Sequence, residues 1–336
     1  MTILLVAMDH EVVLVRQTGP RWHTTAVLPT LSPRCLAVDS AQPALVFCGT
    51  YDDGLWRSQD KGTSWQRVGE GVIGARVTAV STQNGLVYAG TQPSALYRSD
   101  DGGDSWQPCT DLTSLPSADT WAFPPNPSTH HVRWITIDPV VNGRVFACIE
   151  AGALIHSNDG GQTWHDRVPG GPYDTHILAA HPQAPDRLYA AAGDGYYESI
   201  NGGQTWQKRE TGLDHRYAWG LAVHPHDPRT RLISTAAGAR QAHDIEQAHA
   251  FVYRRTADTP WQLACGGLPH PKGTTIASIV AHPHKPGHFY LANNHGLFYS
   301  EDAAIIWNRL EVPWTAGYRS QRVHSLIAIG QANGSS

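Results

Sequence analysis

Charge is scarce in this chain. Only 16% of its 336 residues are Asp, Glu, Lys or Arg, too few to solvate many long surface helices. No run of lysines or arginines occurs, and the net charge is −4. That balance argues against a general nucleic-acid binder and against adhesion to an acidic membrane surface. No apolar stretch is long enough to span a bilayer. The apolar N-terminal segment Ile3-Leu4-Leu5-Val6-Ala7 runs straight into Asp9-His10-Glu11 with no basic leader; it reads as a strand, not a signal peptide. Cysteine is sparse and odd in number, with five copies, which favours a reducing compartment and hence the cytoplasm. Cys35 and Cys48 would face each other if residues 34–39 and 44–50 pair as a hairpin. Two buried thiols are the expectation there, in preference to a disulfide.

Glycine and proline, by contrast, are plentiful, with 32 and 23 copies, as befits many tight turns. The sequence also repeats. Ser58-Gln59-Asp60-Lys61-Gly62-Thr63-Ser64-Trp65 recurs as Ser99–Trp106, Ser157–Trp164 and Ser199–Trp206. A decayed copy is Ser300-Glu301-Asp302 followed by Trp307, and Trp22 and Trp261 keep the tryptophan alone. The spacings between these seven tryptophans are 43, 41, 58, 42, 55 and 46 residues. Alternating apolar residues mark four strands per repeat: in the third tryptophan unit they are Val77–Val80, Leu86–Gly90, Ala95–Ser99 and Ser105–Pro108. Only two strands, Ile3–Met8 and Val12–Arg16, precede Trp22. The innermost strand missing there is supplied by Val323–Ile329, which closes the ring and removes its open edges.

The S-x-D-x-G-x-T-W pattern resembles the Asp-box of BNR-repeat proteins, the superfamily of sialidases, sortilin-type receptors, exo-xyloglucanases and photosystem II assembly factors. The repeat covers nearly the whole chain. The resemblance implies an all-β fold, a seven-bladed β-propeller of one domain, 1–336. Its blades fall at about 1–30 plus 319–331, 33–72, 75–112, 131–170, 174–213, 216–269 and 274–314. It also implies that each box is a structural hairpin turn between the third and fourth strands, so Asp60, Asp101 and Asp159 are not assigned to catalysis. Ligand sites belong on the opposite face, around the central channel.

Two rings of residues are expected on that face. Counting back five positions from the ends of the inner strands gives Arg34, Arg76, Arg133, His176, Trp219 and Ala277, with His324 from the closing strand. Three guanidiniums at equivalent positions point to an anion site, with Trp219 beside them. The turn residues before the third strands are His10, Asp53, Ser94, Ala151, Asp194, His249 and His295. His10, His249 and His295 fall on neighbouring blades once the ring closes. With His324 they are the candidate ligands of one divalent transition metal ion. Two insertions, 112–130 with Trp121, Phe123 and His130, and 237–248, should emerge over the same mouth. Trp121 is taken as a substrate contact.

These residues favour an enzyme that holds a small carboxylate-bearing molecule or sugar acid on arginines and acts by metal-assisted lyase or hydrolase chemistry. His176 or Tyr196 would move the proton. Lyase propellers that act on oligogalacturonate use similar equipment, an analogy of fold and residue type. The sialidase reading is weaker. Its early R-I-P motif is absent, no glutamate pairs convincingly with Tyr196, and Glu150 is the nearest candidate. The competing class is a non-catalytic scaffold that binds a protein partner.

Overall fold

The computed structural model describes residues 2–19, 21–126 and 128–330. The outer positions of the expected domain and closing segment, 1 and 331–336, lie outside the described residues, as do 20 and 127. Seven small antiparallel sheets follow one another in a ring, the arrangement of a seven-bladed β-propeller. The first is the composite one. Val323–Gly330 pairs with Thr2–Met8, followed outward by Val12–Thr18 and Arg21–Val27. Blade three has Val77–Gln83, Leu86–Thr91, Leu96–Ser99 and Gln107–Pro108, close to the strands expected. Blade four has three strands, Val132–Ile137, Val145–Ile149 and Ala153–Ser157. Its outer strand is reduced to a single bridge between His156 and His165, whose rings stack at 4.8 Å. Among the described residues no helix is long and apolar enough to cross a membrane.

The boxes show why the repeat persists. Asp60 Oδ1 accepts from the amides of Thr63 and Ser64 at 2.9 and 2.8 Å, and Ser58 Oγ donates to the same carboxylate oxygen. Asp101, Asp159 and the decayed Asp302 do the same in their own turns. This is a turn built by side-chain acceptors, and it employs these carboxylates fully in structure.

The tryptophans then join one blade to the next. Trp261 N donates to Thr211 O and Trp307 N to Gly266 O. Gly267 (φ +84) lies so close that a Cβ there would overlap the Trp307 carbonyl. Gly267→Ala therefore combines left-handed strain with a backbone collision. It should destabilise the fold by more than about 2 kcal/mol, read as a lower denaturant midpoint with an unchanged slope.

The two cysteines do not face each other. Cys35 pairs with Gly49 and Leu36 with Cys48. That offset of one residue sends the thiols to opposite sheet faces, and both are free and buried.

Candidate functional site

The inner strands are irregular where they reach the channel mouth. Their pairing shifts between Pro33 and Cys35, Val77 and Ala79, Val132 and Trp134, Thr175 and Ile177, and Ala218 and Leu221. A bulge inserts residues without ladder partners and re-aims their side chains. The residues inserted include Arg34, Thr78, Arg133, His176 and Trp219. Four of these five are residues singled out from the sequence. Blade three departs from that count because its inner strand runs on to Gln83, so the equivalent of Arg34 is Thr78 and not Arg76.

A cavity of about 1040 Å³ opens at this mouth. Arg34, Thr78, Arg133, Trp219 and His324 line it, with Phe123, Pro124 and Pro125 from the first insertion and Arg240, His243 and Asp244 from the second. Arg76 lies outside the lining. It is paired with Asp52 at 3.5 Å and, like Arg34, lies about 5 Å from the centre of the Tyr51 ring. Trp121 is buried in the core between blades three and four and donates to Ser117 Oγ at 2.9 Å. It packs beneath the insertion and does not contact the cavity.

One side of the cavity is cationic. Arg34 Nη1 meets His324 Nε2 at 2.8 Å, and His324 Nε2 also lies 2.8 Å from Asp9 Oδ1. Arg322 reaches the same carboxylate at 3.0 Å. Arg34 stands farther off, at 3.9 Å. Burial would raise the Asp9 carboxyl, but the bonds from His324 and Arg322 hold it well below the usual range. Burial, with Arg34 and Arg322 nearby, lowers His324 to about 4 although Asp9 opposes the shift.

Opposite stands an acidic wall, of which the sequence pointed only to Glu150, and that as a weak partner for Tyr196. Glu150 directly follows the second strand of blade four, and Asp174 directly precedes the inner strand of blade five. Each offers an oxygen, and His176 a ring nitrogen, with all three atoms within 4.8 Å of one another. Glu150 Oε2 takes His131 Nε2 at 2.9 Å and lies 3.7 Å from Arg133 Nε. Arg133 in turn lies over the Trp219 ring at 4.3 Å. Burial would push the Glu150 carboxyl up, but the His131 hydrogen bond and the charges of His131, His176 and Arg133 hold it down at about 2. Asp174 moves the other way. Burial raises it, Glu150 and Asp194 add to the rise, and neither His176 nor the Ala151 amide offsets them. On the third side Tyr217 Oη lies 3.1 Å from His243 Nε2. Burial, with His176 and Arg133 adding to it, lowers His243 to about 3.

The remaining expected residues do not join this site. Tyr196 is fully buried against Trp261 and donates to Glu198 at 3.0 Å, so it has no access to a substrate. The metal ligands foreseen on neighbouring blades stay apart. His10 is exposed, and its amide bonds Gln321. His249 is exposed beside Phe251, and His295 Nε2 is held by the Gly273 carbonyl at 3.0 Å. Among the described residues these three and His324 do not come together; Glu150, Asp174 and His176 lie close enough to one another that they could hold an ion. The turn residues failed as guides because the cavity is lined by the residues one position after the second strands, Tyr51, Gln92 and Glu150. A usable signal was present. His131, Asp174 and Tyr217 stand two positions before Arg133, His176 and Trp219, a second set of recurring positions at the starts of the inner strands.

No protein-family model matches the chain, and no curated protein matches it. Solved structures do resemble it. A GH74 enzyme of Niastella koreensis superimposes with a TM-score of 0.69 at 16% identity, over 91% of this chain and 51% of that one. An ancestral GH74 enzyme gives 0.63 at 17%, over 88% and 38%. YCF48 bound to D1 peptide gives 0.61 at 14%, over 89% and 93%. The chain thus spans about 38% and 51% of the two GH74 chains and nearly all of YCF48. At these identities the likeness is one of fold: the chain shares the β-propeller architecture of these proteins, in keeping with its Asp-box repeats.

Proposed function

We propose that the channel mouth is the substrate site of a hydrolase or lyase acting on a carboxylate-bearing, sugar-sized molecule. The observation that carries this reading is the opposition of two walls across one cavity. Arg34 and Arg322 offer guanidiniums on one side, suited to a planar carboxylate. Glu150 and Asp174 face them with their proton affinities driven apart. Of the two, Glu150 is held ionised by His131 and Arg133, a carboxylate set against a substrate pinned to the arginines. The volume suits a ligand of one or two sugar rings.

The test is turnover of oligomers of galacturonate and glucuronate beside their neutral counterparts. Elimination is followed by the ultraviolet absorbance of the unsaturated product and hydrolysis by new reducing ends. We expect turnover of the acidic series. Glu150→Gln should lower kcat by about 100-fold or more, and Arg322→Met should raise KM with kcat little changed. No turnover of the acidic oligomers overturns the reading, and a tight peptide complex seated on the mouth would replace it with a scaffold role.

A further inference from the structure

The carboxylate wall leaves His176 without a task. Its side chain is only 1% exposed. Nδ1 donates to the Ala218 carbonyl at 2.7 Å, which fixes the ring and directs Nε2 the other way. Nε2 is buried and has no hydrogen-bond partner; the nearest acidic atom is Asp174 Oδ2, at 3.6 Å. An unpartnered buried nitrogen is costly unless something occupies the space before it. An imidazole with one nitrogen tied to a backbone carbonyl and the other presented to carboxylates is how proteins prepare a metal ligand.

The two carboxylates are held in the same manner. Asp174 Oδ1 accepts from the Ala151 amide at 2.8 Å, and Oδ2 is left toward His176. Glu150 is steadied through Oε2 by His131 and Arg133, while Oε1 has no hydrogen bond among the described residues. Gly193 completes the seat. A Cβ there would overlap Asp174 Oδ2 and press on the His176 ring, so the carboxylate sits in space that only a glycine leaves open. Both carboxylates line the cavity.

We infer that Glu150, Asp174 and His176 form a binding site for one divalent transition-metal ion at the floor of the channel mouth. Two oxygens and one imidazole suit Zn²⁺ or Mn²⁺ better than Mg²⁺ or Ca²⁺, which take oxygen ligands. Ligands about 2.0–2.2 Å from an ion stand roughly 3–4 Å apart. The present group, within 4.8 Å, has to contract by at most about 2 Å. Three protein ligands leave a position open toward the cavity, where the ion would act as a Lewis acid on a substrate oxygen or bound water. That last step rests on the functional reading above; ion binding does not.

The experiment is titration of tag-free, chelator-treated protein with ZnCl₂ in a calorimeter, with MgCl₂ as the comparison. The expected result is one Zn²⁺ per chain at micromolar Kd or tighter, with Mg²⁺ at least 100-fold weaker. His176→Gln and Asp174→Asn should each weaken Zn²⁺ by 10-fold or more, whereas His249→Gln and His295→Gln should leave it unchanged. Thermal melts without zinc establish that the variants fold. Anomalous diffraction from zinc-soaked crystals needs no variant and should place its peak among the three side chains. Absence of stoichiometric binding, binding that survives both site substitutions, or a peak elsewhere overturns the site. Binding without turnover sinks only the functional reading; turnover of chelated protein without binding sinks only the metal.

Discussion

Glu198→Gln should cost the propeller about 3–5 kcal/mol, read as a large fall in the denaturant midpoint. Glu198 lies in the third strand of blade five at 6% exposure, and one of its oxygens meets three groups. Arg231 Nη2 stands 3.3 Å away, Arg255 Nη1 3.4 Å, and Tyr196 donates to it at 3.0 Å. Arg231 has no solvent exposure at all. Its other contacts are the carbonyls of Pro228 and Ala257 and the face of Tyr189; none of these carries a neutralising charge. Gln keeps the shape and removes the charge, stranding the Arg231 guanidinium in the wall between blades five and six, while Arg255 keeps only the exposed Asp258 at 3.9 Å. The cause can be separated from lost packing. Glu198→Leu combined with Arg231→Met deletes the central pair together, and should cost less than Glu198→Gln alone. If the double variant is the less stable, the ion pair is not what holds this wall.

That network bears on what could be read from the sequence. Tyr196 looks like a proton carrier as long as its blade position alone is known, and a glutamate two residues on shares its face. Only the packing of Trp261 and Leu213 over it turns a candidate site into a buried strut. The fold was legible because its signal is local and repeated: each box makes its own turn, and four copies fix the period. The mouth was legible by half. Inner-strand positions such as Arg34, Arg133, His176 and Trp219 recur at fixed distances from their strand ends, so counting finds them. It misplaces Arg76 where the strand is longer. It overlooks Asp174 and gives Glu150 the wrong partner, because their meaning lies in a contact across two blades. Histidine number misled as well. Several of the 19 histidines belong to turns, not to a metal.

Those turn histidines lead to the second large effect, an acid-labile fold. Blades two and four cap the turn after the inner strand with Asp39 and Asp138, whose oxygens accept the amides of Ala41, Gln42, Val140 and Val141. At the same place blades five, six and seven use His181, His224 and His282, whose Nδ1 accepts the amides of Gln183, His226, and both His284 and Lys285. A ring that accepts through Nδ1 cannot carry a proton there. Burial lowers all three, His282 to about 4. His156 and His324 are likewise lowered by burial to about 4, and His243 to about 3. The folded values lie below the unfolded one near 6.5, so the unfolded chain binds more protons in between. Stability is therefore complete above about pH 6.5 and drains away as the pH falls toward 4, the folded value of His282. A group shifted this far contributes about 1–2 kcal/mol of loss by pH 5, and several act together. Thermal melts from pH 7.5 down to 4.5 should show a steep fall in Tm beginning near pH 6. His282→Asn keeps an acceptor for the two amides without a titrating ring, and should flatten that fall while costing little at pH 7.5. A Tm that stays level to pH 5 would mean that these rings already carry their protons in the folded chain, with the turn amides bonded elsewhere.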